Sequence, residues 1–224
     1  MKTAWMYVIH VFLLCIVVGI SSPALGKSGK WEHIGTKDKV KVSRMQVDGS
    51  EVFAFRGEVI ADVHIGKIMR VFIDSKQRKH WVDRYADHKT LDRTDSMERY
   101  WIKFGLPFPV SDRDYVLHTD IVVDDINKII TANVRSVEDP RMPENSCCVR
   151  AQAYSTYYRF EAIPGEEKTR MIVEVHTDPK GMLPNWLINR IQKDWPSKTL
   201  GGLLKHSKRK EQTPLPEMAN WHDE

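Results

Sequence analysis

The sequence predicts an α+β domain in which one large curved antiparallel sheet wraps around a long C-terminal helix. Three observations carry that prediction. Apolar and polar residues alternate with period two through residues 39–60 and again through 97–177, as in antiparallel strands whose faces meet unlike surroundings. A helical period governs residues 183–206. The order of strands, two helical regions, strands and a last helix is that of an α+β chain rather than a βαβ repeat.

Each element has its own reason. Residues 39–47 and 51–60 read as strands, with Asp48-Gly49-Ser50 as the hairpin signal between them. Asp62 is placed to cap a helix carrying Val63, Ile65, Ile68, Met69 and Phe72. A short helix follows over residues 77–85. Residues 97–104 set Tyr100, Ile102 and Phe104 against Arg99, Trp101 and Lys103. Residues 114–123 put Tyr115, Leu117, Thr119 and Ile121 on one face, and Ile130, Ala132 and Val134 alternate in the next strand. Residues 148–160 form a long strand with the small Val149, Ala151 and Ala153 on one side. Residues 170–177 present Met171, Val173 and Val175, which makes seven strands. Leu183, Leu187, Ile191 and Trp195 recur every four residues along the final helix, where Pro184 suits the first turn. Pro196 is expected to kink that helix and Gly201-Gly202 to loosen it.

Composition narrows the function. Of 224 residues, 42% are hydrophobic and 29% charged, an ordinary globular balance. A net charge of +4 is too small and too dispersed to point to nucleic acid. Three cysteines make no disulfide scaffold, and there is no CxxC or Cys/His zinc spacing. GxSxG, P-loop, GxGxxG and HExxH patterns are absent, so no catalytic residue, metal or cofactor is assigned. His64, His80 and His88 lie among Asp62, Asp83, Asp87 and Asp92, and read as surface side chains of a charged segment. Asp112-Arg113-Asp114 reads as a salt bridge where a strand begins.

Residues 1–26 have the layout of a signal peptide. Lys2 is the one charged residue, an apolar run spans 8–20 apart from His10 and Gly19, and Ala24-Leu25-Gly26 offers a small-x-small exit. The run is short of the roughly 20 residues that cross a bilayer core as a helix. The expectation is cleavage near Gly26 and export to a periplasmic or secreted location. Cys147 and Cys148 then enter an oxidising compartment as neighbours. Free thiols at a strand start, a strained eight-membered ring, and pairing with another chain all stay open. Residues 207–224 read as a flexible polar tail.

An ordered set of segments resembles the START domain (steroidogenic-acute-regulatory-protein-related lipid transfer). It begins with Trp31-Glu32, Val40-Lys41-Val42 and Phe55-Arg56-Gly57-Glu58, then the helix at 63–74 running into Trp81. Pro107-Phe108-Pro109 leads into Ser111-Asp112-Arg113-Asp114-Tyr115, and Val149-Arg150-Ala151 follows. The most specific piece is Thr177-Asp178-Pro179-Lys180-Gly181-Met182-Leu183-Pro184-Asn185-Trp186-Leu187-Ile188-Asn189, which matches the family's turn into its C-terminal helix. The match covers about residues 31–206 of a domain spanning 27–206. It resembles an exported, bacterial-type member in which only residues 27–30 precede Trp31. No motif places the buried acidic and basic pair of the sterol-carrying branch, although Tyr100 and Thr119 lie in that region.

The resemblance implies a helix-grip fold whose sheet and C-terminal helix enclose an apolar tunnel for one lipid or other apolar molecule. The inward faces then supply Tyr100, Ile102, Phe104, Tyr115, Leu117, Thr119, Val149, Ala151, Ala153, Met171, Val173 and Val175, with Leu183, Leu187 and Ile191 closing the helix side. Periodicity alone does not separate a hollow interior from a solid one. Lys205, His206, Lys208, Arg209 and Lys210 are a candidate contact for anionic headgroups during transient membrane encounters. Two other readings stand beside the carrier: a cyclase or hydrolase of the wider helix-grip superfamily, and a secreted adaptor with a filled core.

Overall fold

The computed structural model describes residues 29–223; the segment read as a signal peptide lies outside them. Asp38 and Lys39 both adopt positive φ, 51° and 68°, the two-residue turn whose twist matches that of paired strands. They join β1 (Glu32–Lys37) to β2 (Val40–Met45). A first hairpin therefore sits at 38–39, and the predicted one follows it: β2 pairs antiparallel with β3 (Ala54–Ala61) through a longer connection that contains 48–50. The chain then leaves the sheet through α1 (Ile65–Ile73) and a 3-10 turn, Ser75–His80. It returns at the far edge with β4 (Tyr85–Arg93) and β5 (Met97–Phe104). From there β6 (Arg113–Asp124), β7 (Ile129–Ser136), the two-residue β8 (Val149–Arg150), β9 (Gln152–Ile163) and β10 (Lys168–Asp178) follow.

The strand order is β1-β2-β3-β10-β9-β7-β6-β5-β4, antiparallel throughout, with β8 pairing parallel to β6 off that path. β10 pairs with β3 and joins the first and last strands into one sheet. Seven strands were expected and the described residues hold ten. β1 and β4 escape a pattern search because they are the two edges. Most of their side chains are exposed or half-exposed on both faces, so no apolar alternation is written into them.

α1 lies on the concave face. Its cap is His64, whose Nδ1 accepts from Gly66 N at 3.0 Å; Asp62, the predicted cap, is exposed. Ile65, Ile68, Met69 and Phe72 pack into one cluster with Ile130, Phe160, Met171 and Val173. The Phe72 and Phe160 rings meet edge to face at 4.9 Å. The second predicted helix is the 3-10 turn alone, capped by Asp74 Oδ1 on Lys76 N.

α2 (Asn185–Ser207) runs unbroken through Pro196. It seats where side chains are missing. A Cβ on Gly57 of β3 would stand 2.8 Å from Pro196 Cβ, and a Cβ on Gly202 would stand 2.6 Å from Trp81 O. Gly202 thus admits a close helix approach instead of loosening the helix.

The tail is packed, not flexible. Arg70 Nε and Nη2 donate to the carbonyls of Thr213 and Pro214, and Leu215 N donates to Gly66 O. Met218, Trp221 and His222 are buried. The His222 and His64 rings lie 4.4 Å apart. His222 Nε2 accepts from Ile65 N at 3.0 Å while its Nδ1 faces Glu166 O at 2.7 Å. Two imidazoles therefore satisfy the first free amides of α1. Apolar residues spaced through a polar stretch gave this strap no periodic signature.

Two measurements test these contacts. Gly202→Ala gains about 1 kcal/mol of helix propensity but forces Cβ onto backbone, costing about 1–3 kcal/mol, so a lower denaturant midpoint is expected. Gly201→Ala, with no atom within 4 Å of the added Cβ, should raise it. Burial holds His64, His88, His176 and His206 below the ordinary imidazole value of 6.5. In the acid window below 6.5 the unfolded chain binds more protons than the folded one, so stability falls with pH. Urea midpoints at pH 7.5 and 5.5 should differ in that direction; equal midpoints would contradict the buried neutral rings.

Candidate functional site

α1 covers only part of the concave face. Beyond it, between β5, β6 and the N-terminal half of α2, the interior is a cavity of about 410 Å³, within the usual range for ligand sites. Ten of the fifteen predicted lining residues border it: Tyr100, Ile102, Phe104, Tyr115, Leu117, Thr119, Ala153, Val175, Leu183 and Ile191.

The other five lie elsewhere, for physical reasons. Met171 and Val173 have no exposed surface and belong to the solid cluster under α1. Val149 and Ala151 precede the part of β9 that faces the cavity; Val149 packs beside Gly181. Leu187 is half-buried but turned aside. Ile188, Ile191, Gln192 and Trp195 form the cavity face of α2, and a strict four-residue step drifts by about 40° per turn away from such a face.

A register shift between His176 and Thr177 in the β9–β10 pairing hid two more lining residues. Ala153 and Thr177 are partners on one side of it, Thr156 and Val175 on the other. The bulge changes the inward parity of β9, so Thr156, Tyr158 and Phe160 point in rather than Ser155 and Tyr157. Period-two reading from Ala153 onward fails at that point.

Arg84, Arg93, Asp95, Arg113 and Glu217 also border the cavity, but within its mostly apolar wall one ion pair is buried. Arg78, from the 3-10 turn, and Glu98, from β5, are each 7% exposed. Arg78 Nη2 donates to Glu98 Oε2 at 2.7 Å, and Thr90 Oγ1 donates to Glu98 Oε1 at 3.1 Å. The guanidinium lies 4.2 Å from the centre of the Tyr100 ring. Burial alone would lower the Arg78 pKa, but Tyr100 and Glu98 outweigh it and hold the group charged. Four polar atoms of cavity-lining residues are buried without a hydrogen-bond partner among the described residues: Arg78 Nη1, Trp81 Nε1, Arg84 Nε and Gln192 Oε1. Buried orphans of this kind are rare in a finished interior.

Burial pushes the phenols of Tyr100 and Tyr158 up and that of Tyr115 up to about 12, so all three are neutral donors. The Thr119 side chain beside Tyr100 and that of Thr177 beside Tyr115 oppose the rise without cancelling it. Glu98 continues the inward parity of Tyr100 and Ile102 and was legible as a carboxylate on an apolar face. Arg78 stood in a lysine-rich segment with nothing to mark it as internal.

The mouth is built by Arg113. Its Nε and Nη2 donate to the carbonyls of Pro179 and Lys180 at 2.6 and 2.9 Å, tying the β6 start to the turn before α2. Asp114 instead pairs with Arg150, at 3.0 and 2.9 Å, and accepts from Trp101 Nε1. Phe108 on the loop before β6, Met182 on the turn before α2 and Trp186 in the first turn of α2 are 97%, 102% and 66% exposed.

A family model described as START domain matches residues 19–213. The phosphatidylcholine transfer protein of Mus musculus is 30% identical over 175 residues, 76% of this chain and 79% of that protein. An uncharacterised protein of Pseudomonas aeruginosa is 28% identical over 194 residues, 85% of this chain and 92% of its own. The solved structure of a STAR-related lipid transfer protein fragment from Xanthomonas axonopodis superposes with a TM-score of 0.70 at 26% identity, covering 80% of this chain and 99% of that one. Human StAR-related lipid transfer protein 5 superposes at 0.73 with 20% identity over 84% and 88% of the two chains, a likeness of fold. Resemblance, sheet order and family match agree: the chain belongs to the START domain family.

Proposed function

We propose that this protein binds one phospholipid non-covalently, with the acyl chains in the cavity and a phosphate oxygen on Arg78, and carries it between membranes after export. The observation that carries the reading is the free Nη1 of Arg78. A buried guanidinium with an unused N–H stabilises an anionic oxygen, and no purely apolar ligand supplies one. Trp81 Nε1 offers a second donor along the same wall. That a relative is named for phosphatidylcholine transfer supports the class.

Native mass spectrometry of the protein purified from its host tests this directly. A single bound phospholipid is expected; a sterol or free fatty acid in its place sinks the reading. Removing Arg78 alone strands Glu98, so the informative variant is Arg78→Met with Glu98→Gln. One charge-assisted hydrogen bond is worth about 1.5–3 kcal/mol, so this pair of changes should weaken phospholipid binding by roughly 10- to 150-fold. Unchanged affinity would place the headgroup elsewhere.

For the membrane contact we propose a different surface from the basic cluster. His206 is buried and stacks on His80 at 4.9 Å. Lys205 and Lys208 sit at the far end of α2, about 33 Å from its start. Phe108, Met182 and Trp186 are instead exposed beside the lining residues Leu106, Arg113 and Leu183, where on this reading a lipid leaves. Replacing all three with Ser should slow transfer between vesicles by at least about tenfold, since each apolar side chain contributes about 1.5–3 kcal/mol when buried. The variant should retain its bound lipid; loss of both would mean that the lip belongs to the cavity wall.

A further inference from the structure

Cys147 and Cys148 are bonded to each other, which resolves the alternatives open in the sequence. Cys147 is exposed and Cys148 half-exposed. Cys147 N donates to Asn145 Oδ1 at 2.9 Å. The next residue, Val149, begins β8, where Val149 N donates to Asp112 O and Ala151 N to Asp114 O, both at 2.9 Å. Between those two bonds lies Arg113, the residue that holds the Pro179 and Lys180 carbonyls. Val149 also faces the turn itself: a Cβ on Gly181 would lie 3.6 Å from Val149 Cγ1. The disulfide is thus one residue from a strand that braces the turn leading into the roof of the cavity.

We propose that the Cys147–Cys148 pair is a reversible redox site that latches the cavity mouth, closed as the disulfide and loosened as the dithiol. The partner is a thiol or dithiol reductant, which approaches at the exposed residue Cys147. Its thiolate attacks one sulfur, the S–S bond breaks, and a mixed disulfide forms. A second reductant thiol displaces the cysteine, giving two cysteine thiols and one oxidised disulfide. Two electrons and two protons enter the protein. The ring at 147–148 then opens, β8 loses its fixed approach, and Arg113 and Gly181 lose a packed neighbour.

The consequence for lipid exchange rests on the carrier reading, but the latch does not. The test therefore uses the full chain freed of lipid. Alkylation and mass measurement before and after mild oxidation count the thiols, and hydrogen exchange is followed in peptides covering residues 178–188. Reduction should speed exchange there at least about fivefold, and leave peptides of β3 and β10 under α1 unchanged. Cys147→Ser with Cys148→Ser should exchange at the fast rate with or without reductant. Failure of the pair to oxidise, or equal exchange in both states, overturns the proposal. If the latch responds while no phospholipid binds, the carrier reading fails alone.

Discussion

The fold depends on where α2 touches the sheet. At Gly57 and Gly202 the helix comes close enough that a single methyl group would collide with Pro196 or with the Trp81 carbonyl. These contacts, with Leu200 and Leu203 fully buried, fix its C-terminal half. Its N-terminal half has no such seat. It begins at Pro184 with no side-chain cap and spans the cavity with Ile188, Ile191 and Trp195. One helix therefore serves as wall at one end and roof at the other. The division falls near Pro196, whose missing N–H removes one helical bond at the junction.

The same division organises the electrostatics. Arg78 leaves the 3-10 turn just before Trp81, the residue against which Gly202 packs. Anchoring α2 thus also fixes the backbone that aims Arg78 into the cavity. A buried pair costs desolvation energy that its own attraction barely repays. Here Thr90 and the Tyr100 ring supply further compensation on the protein side. The remaining guanidinium donor is what a ligand can use.

Much of the architecture was legible because an inward strand face and a helix face each have a period. The runs in β5, β6 and β10 alternate cleanly and gave most of the cavity wall. What escaped has definable causes. Edge strands β1 and β4 have no buried face to encode. A bulge in β9 reversed its parity and hid Thr156 and Tyr158. The strap ending in Trp221 is held by backbone carbonyls and two histidines, none of which leaves a repeating pattern. Arg78 is internal only because Glu98, 20 residues away, meets it; no local feature of its segment distinguishes it from its exposed neighbours Lys76 and Lys79.

Whether the interior is hollow was the harder question, and the answer lies in lengths rather than in residue types. α1 is nine residues long and β9 and β10 are 12 and 11. A nine-residue helix extends about 14 Å, whereas an 11- or 12-residue strand extends about 36–40 Å. The helix therefore covers Phe160, Met171 and Val173 and stops short of Ala153, Thr156 and Thr177. The inward side chains past that limit are no larger: Ala, Thr and Val follow where Phe and Met would be needed to fill the gap. Side chains that line a void forfeit contacts on one side, so the empty protein is held by its filled half and its strap. A ligand that restores those contacts binds only the folded chain and stabilises it by mass action. The short helix and the small residues beyond its end are thus two parts of one arrangement, and neither by itself would leave room for a lipid.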